Sequence, residues 1–149
     1  MLENLKKIYQ EAGWQMEQVS NEPIIYITYK GEHGKWDFVA TVEESLNTLV
    51  MFARLPFTAL TSQYADTSLL IDRVNFGMSS GAWVFDRSDG EIRFRVGINL
   101  YNYELTPAYV RDLTQYTNTT MDFYILGFKA LLEEGKSYEN AYEVVFGTK

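Results

Sequence analysis

Residues able to carry acid–base, nucleophilic or metal chemistry are few in this chain and poorly grouped. Its 149 residues include one histidine, His33, and no cysteine. His33 lies in the turn-like Gly31-Glu32-His33-Gly34, the setting of a solvated surface histidine. With no second His and no Cys, neither a His/Cys zinc site nor a thiol nucleophile can be assembled around it. Asp86, Asp89 and Glu91 stand in the run DRSDGE, which lacks the spacing of an EF-hand loop; a turn accounts for them better than calcium does. Glu43-Glu44 falls at a strand end and Glu133-Glu134 at a solvated helix end. Neither offers the burial that would raise a carboxyl into the working range of a general acid. The P-loop and Gly-x-Gly-x-x-Gly patterns do not occur. Asn118-Thr119-Thr120 matches the glycosylation pattern but sits inside a predicted long helix, so chance explains it. No catalytic residue, metal ligand or cofactor is assigned.

Charge narrows the partners further. A net charge of −7 argues against non-specific association with nucleic acid or anionic lipid. Arg93 and Arg95 share one face of a predicted strand. They are placed either to grip an acidic segment of a partner or simply to blunt a solvated face. No run approaches the ~20 apolar residues of a membrane span, and MLENLKKIYQE carries charges where a signal peptide is apolar. The expected setting is cytoplasmic, with no membrane and no nucleic-acid partner.

The elements that hold these residues are well marked. Leu2, Leu5, Ile8/Tyr9 and Ala12 recur at helical spacing, and Gly13 follows as a helix stop. Strands are predicted over Trp14–Val19, Ile24–Lys30 and Lys35–Val42, the last two joined through Gly31–Gly34. Pairing Lys30 with Lys35 sets Tyr29 against Trp36 and Ile27 against Phe38. Thr48–Leu55 is apolar on both faces, as for a strand covered on both sides or lying against a partner. A helix over Ser62–Phe76 precedes Ala82–Leu100, where Asp89-Gly90 suits a two-residue hairpin turn. That turn pairs Phe85 with Phe94, Trp83 with Val96 and Asp86 with Arg93. Thr106 as N-cap and Pro107 at the first position open a long helix, stopped near Gly135. Ser137 caps a last short one.

The order is helix, four strands, helix, two strands, long helix, short helix. It describes a single α+β domain over 1–149: an antiparallel sheet meander with its helices packed on one side. The long helix, about 40 Å at ~1.5 Å per residue, is apolar over roughly 200° of its circumference, twice the stripe that one supporting surface requires. Arg111, Gln115, Asn118, Asp122 and Lys129 hold the remainder. Either the chain's other helices cover the excess or a second protein does. On the second reading Tyr109, Tyr116 and Phe123, with Val50 and Phe52 of the doubly apolar strand, are the candidate interface. A competing reading places a small-ligand pocket, or an enzyme site, between sheet and long helix, lined by Trp36, Trp83, Tyr124 and Phe128. The simpler reading of those four is core.

Gly13-Trp14, Trp36, Leu55-Pro56, Leu69-Leu70, Asn75, Gly81-Ala82-Trp83-Val84-Phe85-Asp86, the Asp-Gly turn and Ile92-Arg93-Phe94-Arg95 together resemble the YbjN family, described as bacterial sensory-transduction regulators, whose fold resembles that of type III secretion chaperones. The resemblance implies a compact, often dimeric α+β domain with no catalytic residues to transfer. The function expected is a non-enzymatic regulatory or chaperone-like module. It would work as a homodimer and engage an unidentified protein through apolar helix and sheet surfaces.

Overall fold

The computed structural model describes residues 1–17 and 22–147. Helix α1 (Leu2–Glu11) leads into β1 (Ile24–Lys30), β2 (Lys35–Glu43) and β3 (Thr48–Arg54). Then come α2 (Tyr64–Phe76), β4 (Ala82–Asp86), β5 (Glu91–Asn99), α3 (Pro107–Leu132) and α4 (Tyr138–Phe146). The antiparallel sheet has the order β1-β2-β3-β5-β4. The meander therefore holds through β3; β4 then takes the far edge and β5 returns between them. Of the strand expected over Trp14–Val19, the described part forms a single bridge, Glu17 to Tyr26; the remainder lies outside the described residues.

Alternation decides what each strand buries. Ile25, Ile27, Trp36, Phe38, Ala40, Leu49, Met51, Ala53, Trp83, Ile92, Phe94 and Val96 are all buried. They form two continuous clusters with the helices: α1 and the start of α3 over one end of the sheet, α2, α4 and the rest of α3 over the other. The β1–β2 pairing is the one the sequence implies, with Lys30 opposite Lys35, Tyr29 opposite Trp36 and Ile27 opposite Phe38.

The β4–β5 register differs from the sequence reading. Trp83 faces Phe94, Phe85 faces Ile92 and Asp86 faces Glu91. The loop is Arg87–Gly90 rather than Asp89-Gly90 alone, and Gly90 supplies its one left-handed residue at φ +83°. Asp86 accepts from the Ser88 amide and hydroxyl, and Asp89 accepts from the Glu91 amide, so both carboxylates stabilise the turn. The Ser88 hydrogen bonds hold the Asp86 carboxyl below the usual carboxylate range. Because the slip is two residues, each side chain keeps its face. Trp83, Phe94 and Val96 point inward as expected, with Phe85 packed against the core beside them.

Thr106 caps α3 as its sequence requires, its side chain accepting from the Tyr109 amide. The helix carries an unexpected polar ladder on its buried side. Thr114, Asn118 and Asp122 stand one turn apart. Thr114 Oγ1 shares a 2.6 Å hydrogen bond with the Tyr9 hydroxyl of α1. Asn118 Oδ1 accepts from the Trp36 indole N–H of β2 at 2.9 Å. Asp122 accepts from the Glu32 and His33 amides in the β1–β2 turn. Asn118 is fully buried and Asp122 half-buried, so their assignment to the solvent side is corrected. Asn118 partners a donor that burial would otherwise leave unpaired, and Asp122 ties down the exposed β1–β2 turn. Burial with this bond to Trp36 also puts the Asn118 sequon out of reach. Tyr9 is buried deeply enough to push its phenol well above the ordinary value, offset in part by the Thr114 hydrogen bond.

At the far edge of the sheet, the side-chain amide of Asn75 donates to the Trp83 carbonyl at 2.9 Å and accepts from the Trp83 amide at 2.8 Å. The end of α2 is thereby tied to β4. Gln63, just before α2, donates to the last carbonyls of α3, Leu131 and Leu132.

Two substitutions test this architecture. Phe94→Ala removes a ring with no exposure and is expected to cost about 3–5 kcal/mol in urea denaturation. Asn118→Ala leaves the Trp36 N–H unpaired and is expected to cost about 1–3 kcal/mol. A change within error at position 118 would mean that the ladder does not hold α3.

Candidate functional site

A concave surface lies where α2, α3 and α4 meet, a groove of about 500 Å³. Leu69, Arg73 and Phe76 come from α2, Tyr138, Tyr142 and Phe146 from α4, and Tyr124 of α3 also lines it. The Arg73 guanidinium lies 3.8 Å above the Tyr142 ring. Phe146 packs on Tyr142 at 4.5 Å and on both Phe123 and Tyr124 at 5.7 Å between ring centroids. The Tyr124 hydroxyl reaches Met78 Sδ at 3.6 Å, and burial raises its pKa above the ordinary value. Phe76 is 96% exposed, Phe123 53% and Phe146 43%. Three phenylalanines in water around one groove form an apolar patch of the kind that marks interaction sites. Nothing in it resembles an acid–base pair or a nucleophile with its base.

The five interface candidates do not come together. Phe123 borders this groove. Tyr109 lines a separate recess of about 450 Å³ with Ile98, Leu100 and Tyr103. Tyr116 is half-buried, its ring on Phe94 and its hydroxyl donating to the Ser80 carbonyl, so it is a core residue. Val50 and Phe52 point to the opposite sheet face, away from the helices. The four pocket candidates are buried. Trp83 lies 4.5 Å from Phe128 and 5.7 Å from Tyr124, while Trp36 stacks on Tyr29 and bonds Asn118. The space between sheet and α3 is filled by these rings; they are packing, and only Tyr124 lines the groove. Phe76 and the α4 residues carry the groove, and periodicity missed them because Phe76 looks like an ordinary helix-end residue.

The helix-free sheet face has its own order. Arg54 of β3 bridges Asp37 of β2 at 2.8 Å and Glu91 of β5 at 3.4 Å. Arg93 pairs with Glu91 at 2.9 Å and lies 4.2 Å over Phe52. The expected Asp86–Arg93 pair is thus replaced by Glu91, two residues along the same strand. Arg95 is exposed and has no ion-pair partner among the described residues. Burial alone would raise the Asp37 carboxyl, but hydrogen bonds from Tyr26 and Arg54, with the Arg54 charge, hold it below its ordinary value. Among the described residues two clusters, Glu32–His33–Asp122 and Asp86–Asp89–Glu91, bring ligand atoms close enough to share a cation. Hydrogen bonds to the turn backbones account for the Asp122, Asp86 and Asp89 carboxylates.

Residues 1–130 match the family described as "Putative bacterial sensory transduction regulator", YbjN. This chain belongs to the YbjN family. The crystal structure of YbjN from E. coli, described there as "a putative transcription regulator", superposes with a TM-score of 0.70 at 11% identity, covering 87% of this chain and 92% of that one. A chain from the crystal structure of the ExsC–ExsE complex superposes with a TM-score of 0.56 at 10% identity, covering 84% and 93%. No curated protein matches the sequence. The YbjN assignment and the secretion-chaperone-like α+β fold expected from the sequence are both confirmed. No helix among the described residues is long and apolar enough to cross a membrane.

The Asp37 environment gives a pH prediction. A carboxyl whose folded pKa is depressed adds stability above its unfolded value, ~3.9, and loses it as pH falls through the lower folded value. Wild-type stability is therefore expected to fall more steeply between about pH 5 and pH 2 than that of Asp37→Asn. Parallel slopes in denaturation at stepped pH would show the network to be without energetic effect.

Proposed function

We propose that this YbjN-family chain is a non-enzymatic regulatory or chaperone-like protein-binding module that works as a homodimer in the cytoplasm. The observation that carries the reading is the aromatic groove with Phe76, Phe123 and Phe146 exposed around it. A large apolar surface in water is costly to keep, and a protein partner that covers it recovers the hydrophobic free energy. Family membership supports the regulatory half. The likeness to a chain of the ExsC–ExsE complex, itself an assembly of two proteins, supports the chaperone-like half. Scarcity of His, absence of Cys and the packed Trp83–Phe128 core favour binding over catalysis.

The two surfaces divide the work. The partner protein takes the groove, and the second copy takes the helix-free sheet face around Val50, Phe52 and the buried Val39. On that face Arg54, Asp37, Glu91 and Arg93 already neutralise one another. A self-complementary patch with an apolar centre and prepaired charges suits a two-fold interface. Arg95, with no ion-pair partner among the described residues, offers a contact to an acidic group on the facing copy.

Sedimentation equilibrium is expected to show a dimer at micromolar concentration, with Val50→Asp monomeric and equally helical by circular dichroism. A wild-type monomer at high micromolar concentration removes the dimer. Phe76→Ser combined with Phe123→Ser is expected to weaken retention of a protein partner isolated by pull-down by about tenfold or more, as loss of exposed aromatic anchors does. Unchanged retention removes the groove from the binding surface.

A further inference from the structure

The family match ends at residue 130, and α4 begins only at Tyr138. This last helix is built as a separable unit. Gly135, at φ +68°, turns the chain after α3, and Ser137 caps α4 through the Asn140 amide. Ala141 is its one fully buried side chain. Tyr138, Ala141, Tyr142 and Val145 follow the i, i+3, i+4, i+7 spacing of an amphipathic helix laid in a groove. The notch that receives it is Gly127 of α3. A Cβ at that position would collide with Val145 Cγ2 and lie 3.0 Å from the Ala141 carbonyl oxygen. Tyr142 sits under Arg73, and Phe146 closes on Phe123 and Tyr124.

Building on the protein-binding reading above, we infer that the α2–α3 face is a helix-accepting groove with α4 as its resident, displaceable occupant. The partner element is a short amphipathic helix with a small residue against Gly127 and aromatic residues one turn to either side. A nine-residue helix is marginal alone in water, so α4 is helical because the groove holds it. Exchange of like for like releases one set of contacts and makes another, so little of the apolar face stays in water at the end. The tether gives α4 an effective concentration of roughly millimolar. A competing helix must therefore add contacts that α4 does not make. The open stretch of the groove beside Leu69 and Phe76 provides them, so the partner helix carries a further apolar side chain for that stretch.

The cysteine-free sequence permits a direct test on the full chain. A Cβ at Gly127 would lie 3.8 Å from Val145 Cβ, within the roughly 3.5–4.5 Å that a disulfide spans. In Gly127→Cys/Val145→Cys, oxidation locks α4 in place and reduction frees it. The probe is a fluorescein-labelled peptide of residues 136–147 carrying Val145→Ala, so that it clears the new Cβ at position 127, read by anisotropy up to about 1 mM, the tether's own effective concentration. The reduced form is expected to bind it at least about tenfold more tightly than the oxidised form, a difference of about 1.4 kcal/mol. Equal binding to both forms, or binding to neither, overturns the inference. Hydrogen exchange on the wild type guards against a fault in the variant. Amides of Tyr142–Phe146 are expected to exchange well ahead of those of Tyr124–Leu131, and exchange of the two segments in step also overturns it. If the locked chain still retains its protein partner undiminished, displacement of α4 is wrong while the protein-binding function stands.

Discussion

The rotation of α3 about its own axis governs the rest of the molecule, and three hydrogen-bonded contacts set it. Thr114 meets Tyr9 of α1, Asn118 meets the Trp36 indole of β2, and Asp122 meets the backbone of the β1–β2 turn. Each ties a different element to one line along the helix. Apolar packing would tolerate many rotations of so broad a hydrophobic surface, but three directional contacts spaced one turn apart permit one. At about 100° per residue, fixing Asn118 against the sheet turns Gly127 roughly half a turn away, toward α4, and Phe123 toward the groove. The exposed aromatic groove is what remains once the polar ladder has chosen its side.

Legibility from sequence follows the same division. Alternation and helical periodicity place the strands, the long helix with its Thr106 and Ser137 caps, and the whole β1–β2 register. These are local signals or direct consequences of one turn. The β4–β5 register slips because Asp89-Gly90 satisfies the rule for a two-residue loop. What distinguishes the longer loop is the bonding of Asp86 and Asp89 to nearby backbone, which residue type alone does not reveal. Parity rescues the core: Trp83, Phe94 and Val96 stay inside after an even slip. The ladder was illegible for a different reason. Asn118 and Asp122 are typical solvent-facing types, and their burial depends on donors about ninety positions away in the chain, which periodicity cannot see.

The candidate site was the least legible part. The breadth of the apolar arc on α3 correctly signals more than one cover, and α4 supplies much of it by packing on Gly127. Phe123 lies half-exposed beside the leftover patch. Tyr116 is absorbed by its bonds to the Ser80 carbonyl and the Phe94 ring. The groove itself needs residues from three helices, and Phe76 gains meaning only because α4 closes beside it.

The Asn75 amide has a consequence for how copies of this chain can meet. Open-ended stacking of sheets requires each copy to offer two free strand edges, one to receive and one to give. Here the backbone of Trp83 on the outermost strand is already matched, donor for acceptor, by a side chain from the neighbouring helix. A ribbon growing strand upon strand would halt at that amide after a single addition, which guards a Tyr- and Phe-rich chain against fibre formation.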